Sequence, residues 1–246
     1  MDFDARMLSL AAIVFFAFAT EAAIGFGSTV IALALGVRLY PIHQLLPTIV
    51  PLNLVMQSYM VTRHRDHIAF DLIRRRILPW MGVGVAAGLA VFQYASSDTL
   101  KRIFGIFVLA VAAREAVKVA RPRGGSTIPL PASRQALGLL AAGVTHGMFA
   151  SGGPLLVWVL SRSDLGKRSF RSTLGAVWWV FNVVLIIVFA MTGHLDASVL
   201  PKLAVLVPAV LASIAAGEWI HRRLNEQRFR LAVSVLLIVA ALSIVV

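Results

Sequence analysis

Cysteine is absent from all 246 residues, which removes a disulfide framework, a thiolate metal site and a redox pair from consideration. Charge is scarce as well. Only 14% of residues are charged, against about 25% in a soluble domain, too few to clothe a globule in water. No Gly-x-x-x-x-Gly-Lys-Ser/Thr run occurs, so neither ATP nor any other cofactor is expected, and no built-in nucleotide motor. What is present is apolar: 59% hydrophobic residues and a mean hydropathy of +0.85. A bilayer crossing needs about 20 such residues, which leaves room for roughly six to eight membrane segments and no soluble catalytic domain. The expected class is an all-α integral membrane protein, with the lipid bilayer as its first partner. The net charge of +12 does not imply nucleic acid, because the basic residues stand in short clusters between apolar runs, where they act as topology signals.

Apolar stretches run at about 8–36, 44–61, 77–95, 101–117, 135–160, 172–192, 199–217 and 229–246. The segment before Leu8 holds two Asp and one Arg, the wrong charge for a cleaved leader, so the first stretch is expected to stay. Near the midpoint, Arg121-Pro122-Arg123-Gly124-Gly125-Ser126 with Pro129 and Pro131 reads as a linker. Sliding the second half over the first by 125 residues pairs Glu21 with His146, Gly27-Ser28-Thr29 with Gly152-Gly153-Pro154, and Gln57 with Asn182. After a four-residue insertion, Pro79 and Ala86-Ala87-Gly88 pair with Pro208 and Ala215-Ala216-Gly217. The expected organisation is a first membrane repeat, 1–120, a cytoplasmic linker, 121–134, and a second repeat, 135–246.

Arg and Lys favour the cytoplasmic face, and the joints at 63–76, 114–134, 162–171 and 222–230 hold most of them. With all four inside, segment 135–160 begins and ends on the cytoplasmic side. It is then two half-helices that turn back near the membrane centre around Gly147–Gly153. By the duplication, segment 8–36 does the same from outside, with its tip near Gly25–Ser28. Each repeat becomes a broken helical hairpin plus three transmembrane helices. Three being odd, the repeats are inverted, an arrangement used for alternating access.

A broken helix survives in hydrocarbon only where protein or a water-filled cavity surrounds it. The returning half of each hairpin starts just after the glycine cluster, where N–H groups without intrahelical partners carry partial positive charge. Gly25, Gly27, Ser28 and Thr29 at one tip, and Ser151, Gly152, Gly153 and Pro154 at the other, suit such amino ends and make an anion the favoured ligand, placed between the two tips. The alternative is that these glycines only let helices pack. Glu21 is the one acidic residue deep in an apolar segment. A carboxylate is costly there, so Glu21, with its repeat partner His146, is a candidate for proton coupling; the alternative is a permanently protonated Glu21 and a neutral, packed His146. Gln57 and Asn182, with Asn53 one turn before Gln57, could offer amide donors to the same cavity or serve as polar glue between helices. Arg171 could attract anions at the cytoplasmic mouth, or simply mark topology.

These residues resemble the TauE/SafE family of membrane transporters, also called the sulfite exporter family. The resemblance rests on Gly25-Phe26-Gly27, on Gly143 through Ser151-Gly152-Gly153-Pro154, and on Phe170-Arg171-Ser172-Thr173-Leu174 leading towards Asn182 and Gly193. It implies export of sulfite, sulfoacetate or related sulfur-containing anions through the bacterial inner membrane. The expected function is therefore a secondary transporter of small anions, not an enzyme, with a second copy of the chain as a candidate partner. Two other classes compete. One is an intramembrane serine hydrolase using Ser151 with His146 as base; the other is a passive anion channel.

Overall fold

The computed structural model describes residues 3–24, 27–120, 130–163, 165–223 and 226–245, and among these the regular structure is helical, with no strand. Gly25, Phe26 and most of the 121–134 linker lie outside the described residues. The chain forms α1 (Phe3–Ile24), α2 (Ser28–Gly36), α3 (Ile42–His64), a one-turn α4 (Phe70–Leu72), α5 (Leu78–Tyr94), α6 (Ser97–Ala120), α7 (Ala132–Phe149), α8 (Gly153–Leu160), α9 (Lys167–Met191), α10 (Val199–Arg223) and α11 (Glu226–Val245). A π-helical turn at Ile73–Ile77 joins α4 to α5. Among the described residues, five stretches are long and apolar enough to cross a bilayer: Ala5–Ala23, Ile42–Arg63, Phe70–Tyr94, Arg168–Met191 and Val199–Ile220. This is an integral membrane protein.

Segment 135–160 is not one rod. α7 ends at Phe149, and Ala150 adopts a left-handed conformation, φ 48°. α8 then runs back along α7, so that a Cβ on Gly138 would fall 2.6 Å from the Val159 side chain. Beginning and end of the segment lie side by side, as the charge argument requires. The first segment is also interrupted, between Ile24 and Ser28, and α2 packs on α1. The arms are unequal, however, where the sequence led us to expect half-helices. α1 and α7 have 22 and 18 residues, about 33 and 27 Å, whereas α2 and α8 have nine and eight, about 12 to 14 Å. The long arm of the second hairpin continues to the first residue that leaves the right-handed helix, Ala150, and not to the segment's midpoint. α2 is buried all round except at Leu35, which suits a helix that is apolar on every face.

The helices gather into two compact units: Met1–Leu52, Ala95–Arg123 and His194–Val246 form one, and Asn53–Tyr94 and Gly124–Gly193 the other. Packing therefore interleaves the two sequence halves. α3 serves both units, and the boundary at Leu52 and Asn53 follows directly on Pro47 and Pro51, each of which removes a helical N–H.

In the second unit α5 and α7 run parallel at backbone contact. A Cβ on Gly84 would lie 2.2 Å from the Leu140 carbonyl oxygen, and one on Gly88 2.2 Å from that of Val144. Gly143 and Gly147 are held equally close to the Met81 and Val85 oxygens, at 2.2 and 2.4 Å. Two Gly-x-x-x-Gly faces thus meet, the device by which membrane helices approach when no hydrophobic effect pulls them together. In the first unit Gly217 of α10 does the same against α1, its Cβ position lying 2.4 Å from Ala22 Cβ and 2.5 Å from the Ala19 oxygen. Ala19 and Ala22 are the offset partners of Val144 and Gly147, and Gly217 is that of Gly88.

The joints at 37–43, 95–98 and 193–202, poor in basic residues, meet in the first unit: His43 Nδ1 and Ser97 Oγ are 2.7 Å apart, the His43 and His194 rings stack at 5.7 Å, and Lys202 lies over Tyr40. Within the second unit, Arg76 donates to Gln135 Oε1 at 3.1 Å and the Ala69 N–H to Thr173 Oγ1 at 3.0 Å.

Candidate functional site

The candidate residues divide between the units. Glu21, Gly27, Ser28 and Thr29 belong to the first; Asn53, Gln57, His146, Ser151, Gly152, Gly153, Pro154, Arg171 and Asn182 to the second. Glu21, Ser28, Thr29, Asn53, Gln57, His146, Ser151 and Asn182 are all buried, although each is polar. Arg171 stands exposed near the start of α9.

At the first tip Gly27 has φ 107° and ψ 0°, a conformation glycine takes without a Cβ penalty. Its carbonyl accepts the first α2 bond from the Ile31 N–H at 3.0 Å. The Ser28 N–H, one of the amino-end donors, is taken by Glu21, whose Oε2 accepts it at 3.0 Å. An acidic side chain from α1 therefore caps α2, favourable both as a hydrogen bond and against the helix dipole.

The second tip has a different chemistry. The Ala150 N–H donates to the His146 carbonyl at 2.7 Å and closes α7. Ser151 and Gly152 make the turn, and the Leu156 N–H donates to the Gly152 carbonyl at 3.1 Å to open α8. Pro154 lies in the first turn, where its missing N–H costs nothing, and Gly152 supplies no side-chain cap. Gly152 is confined: a Cβ there would fall 2.3 Å from the Ala142 oxygen and 3.1 Å from His146 Cβ. Ala150→Gly is expected to stabilise the protein by up to about 1 kcal/mol, since φ 48° penalises a Cβ. Thermal unfolding in detergent measures this, and a lower melting temperature would show that the buried methyl contributes more through packing than its backbone costs.

His146 is 1% exposed, and its ring stacks on Trp178 with centroids 5.4 Å apart and planes at 13°. Phe181 lies at 6.0 Å. Among the described residues neither ring nitrogen has a hydrogen-bond partner, and neither does Asn182 Oδ1. His146 therefore does not hydrogen-bond Ser151, which leaves the hydrolase pair without its base. Gln57 and Asn182 share the second unit, but not one level. Gln57 Oε1 lies 3.2 Å from a Cβ position on Gly175, about two helical turns before Asn182 on α9. The aromatic setting of His146 was not legible in the sequence, where tryptophans pass as interfacial anchors; the signal was Trp178 lying one turn before Asn182.

Residues 10–244 match the family described as "Sulfite exporter TauE/SafE". Among curated proteins, the "Probable sulfite/organosulfonate exporter TauE" of Cupriavidus necator is 25% identical over 209 residues, 81% of this chain and 77% of that protein. The "Probable inner membrane transporter protein TsaS" of Comamonas testosteroni is 27% identical over 169 residues, 68% of this chain and 69% of that one. No solved structure matches significantly.

Proposed function

This chain belongs to the TauE/SafE sulfite exporter family, and from that premise we propose that it is a secondary transporter moving small sulfur-containing anions, of the sulfite and organosulfonate class, across the inner membrane by alternating access. It is a multi-pass membrane transporter and not an enzyme. The observation that carries the anion is the second tip. There a helix begins inside the protein with its first N–H groups turned to the break, and the residue at its cap has no side chain to offer them. In a bilayer such donors cost several kcal/mol each unless something accepts from them. An oxyanion does so without a side-chain cation.

For the architecture we propose two inverted repeats, 1–120 and 135–246, joined by the cytoplasmic linker 121–134. Each repeat has one broken hairpin and three crossings. The contact of Gly88 with Val144 and Gly147, matched by Gly217 with Ala19 and Ala22, supports the duplication. For the driving ion we propose protons, with Glu21 as the group that carries them. The names of the relatives favour the sulfur oxyanions over other anions of similar size.

Proteoliposomes loaded with sulfite, a sulfonate or a carboxylate, with and without a pH gradient, test this reading. Uphill accumulation of sulfite or sulfonate driven by the gradient is the expected result. Downhill equilibration alone would make the protein a channel, and preference for carboxylates would remove the sulfur assignment.

A further inference from the structure

We infer that the transported anion is held at the second hairpin, with His146 as a hydrogen-bond donor to it, while the first hairpin carries an internal substitute for that anion, the side-chain carboxyl of Glu21, which fills the place whenever it is ionised. This rests on the anion transport proposed above. The 125-residue offset that pairs Glu21 with His146 also pairs Ser28 with Gly153. On the first hairpin these two positions form a bond, from the Ser28 N–H to the Glu21 carboxylate at 3.0 Å. The molecule thus shows within itself where an anionic oxygen sits relative to the first N–H of the returning helix.

On the second hairpin the carboxylate is replaced by an imidazole, which brings no negative oxygen. The amino end of α8 keeps its donors. The imidazole is buried, sets out from α7 with its Cβ 3.1 Å from a Cβ position on Gly152, and leaves both nitrogens without a partner among the described residues. Buried polar atoms of native proteins are nearly always paired, so an orphan needs an explanation. Its ring cannot swing to find one easily, being stacked on Trp178 with Phe181 alongside. In either protonation state an imidazole donates at least one N–H. Asn182 follows Phe181, and its Oδ1 likewise has no partner among the described residues; by turning over, its amide can present either oxygen or NH2.

A small oxyanion would complete all three. One oxygen takes the place that the Glu21 carboxylate holds on the other hairpin, against the Gly153 N–H. A second accepts from the His146 ring, and a third meets the Asn182 amide. A sulfite or sulfonate head carries three oxygens on one sulfur, one for each of these groups, and a sulfonate leaves its substituent to extend outward. Neutral ligands gain least, because the helix end rewards negative charge.

The purified full-length protein, titrated with sulfite, tests the assignment through the fluorescence of Trp178, identified by its loss in Trp178→Phe. His146→Phe keeps an aromatic ring for the stack and removes the donors; His146→Gln keeps a donor. We expect His146→Phe to weaken sulfite binding about ten-fold or more and His146→Gln to restore most of it. His146→Glu copies the first hairpin and is expected to abolish binding by filling the site from within. If the substituted proteins fail to fold, the nitrogen resonance of the His146 ring in the wild type decides: it should move when sulfite is added, and an unmoved resonance overturns the assignment. Wild-type affinity in His146→Phe also overturns it, with sulfite transport left standing. Failure of the wild-type protein to bind or move any sulfur oxyanion would instead overturn the transport reading, and this inference with it.

Discussion

Gly143→Val is expected to abolish the folded transporter, seen as loss of the monodisperse species in detergent and of all anion flux. Its Cβ would fall 2.2 Å from the Met81 carbonyl oxygen and 2.9 Å from Gly84 Cα. Both are backbone atoms, which cannot rotate away as the end of a side chain can. Relief requires α5 and α7 to separate, and every contact between Gly84, Gly88, Gly143 and Gly147 would loosen with them. Overpacking of a well-filled core costs about 1–3 kcal/mol where side chains can adjust; a clash with main chain lies at or above the top of that range. Gly82→Ala is the control, on the partner helix α5 with open space at its Cβ position, and is expected to change stability by no more than about 0.5 kcal/mol. Equal behaviour of the two substitutions would show that the parallel crossing of α5 and α7 is not what holds this unit together.

Glu21→Gln is the second large effect, and it falls on transport. The glutamine keeps an oxygen that can accept the Ser28 N–H, so the turn into α2 is expected to survive. What it loses is the ability to exchange a proton and, with it, the negative charge at that helix end. Flux in proteoliposomes should remain but no longer respond to a pH gradient. Glu21→Ala should in addition lose the cap, at a cost of about 0.5–2 kcal/mol in stability, which a melting curve separates from the transport effect. Gradient-driven flux unchanged in Glu21→Gln would leave this carboxyl only its capping role.

The two hairpins were legible because a break inside an apolar run has few spellings. Gly27-Ser28 and Ser151-Gly152-Gly153-Pro154 are residues that tolerate turns and open helices, set where composition otherwise demands continuous helix. Gly147 was placed at the tip by its composition but lies inside α7, packed on α5; glycine serves a turn and a close crossing equally well, and only the partner tells them apart. Glu21 was noticed for its cost, but not for its bond to Ser28, because seven residues across a turn of unspecified shape define no distance. The same limit hid the stack of His146 on Trp178, thirty-two positions further along the chain.

The sequence by itself determined that this chain belongs in a bilayer and where its helices break, because hydropathy and glycine act locally and can be read locally. Tertiary structure alone decided that the halves interleave, that α5 lies against α7 as α10 does against α1, and that Glu21 caps one returning helix while His146, its counterpart by the offset, stacks on Trp178. Those are relations between distant residues, fixed by which surfaces can approach closely enough to pack.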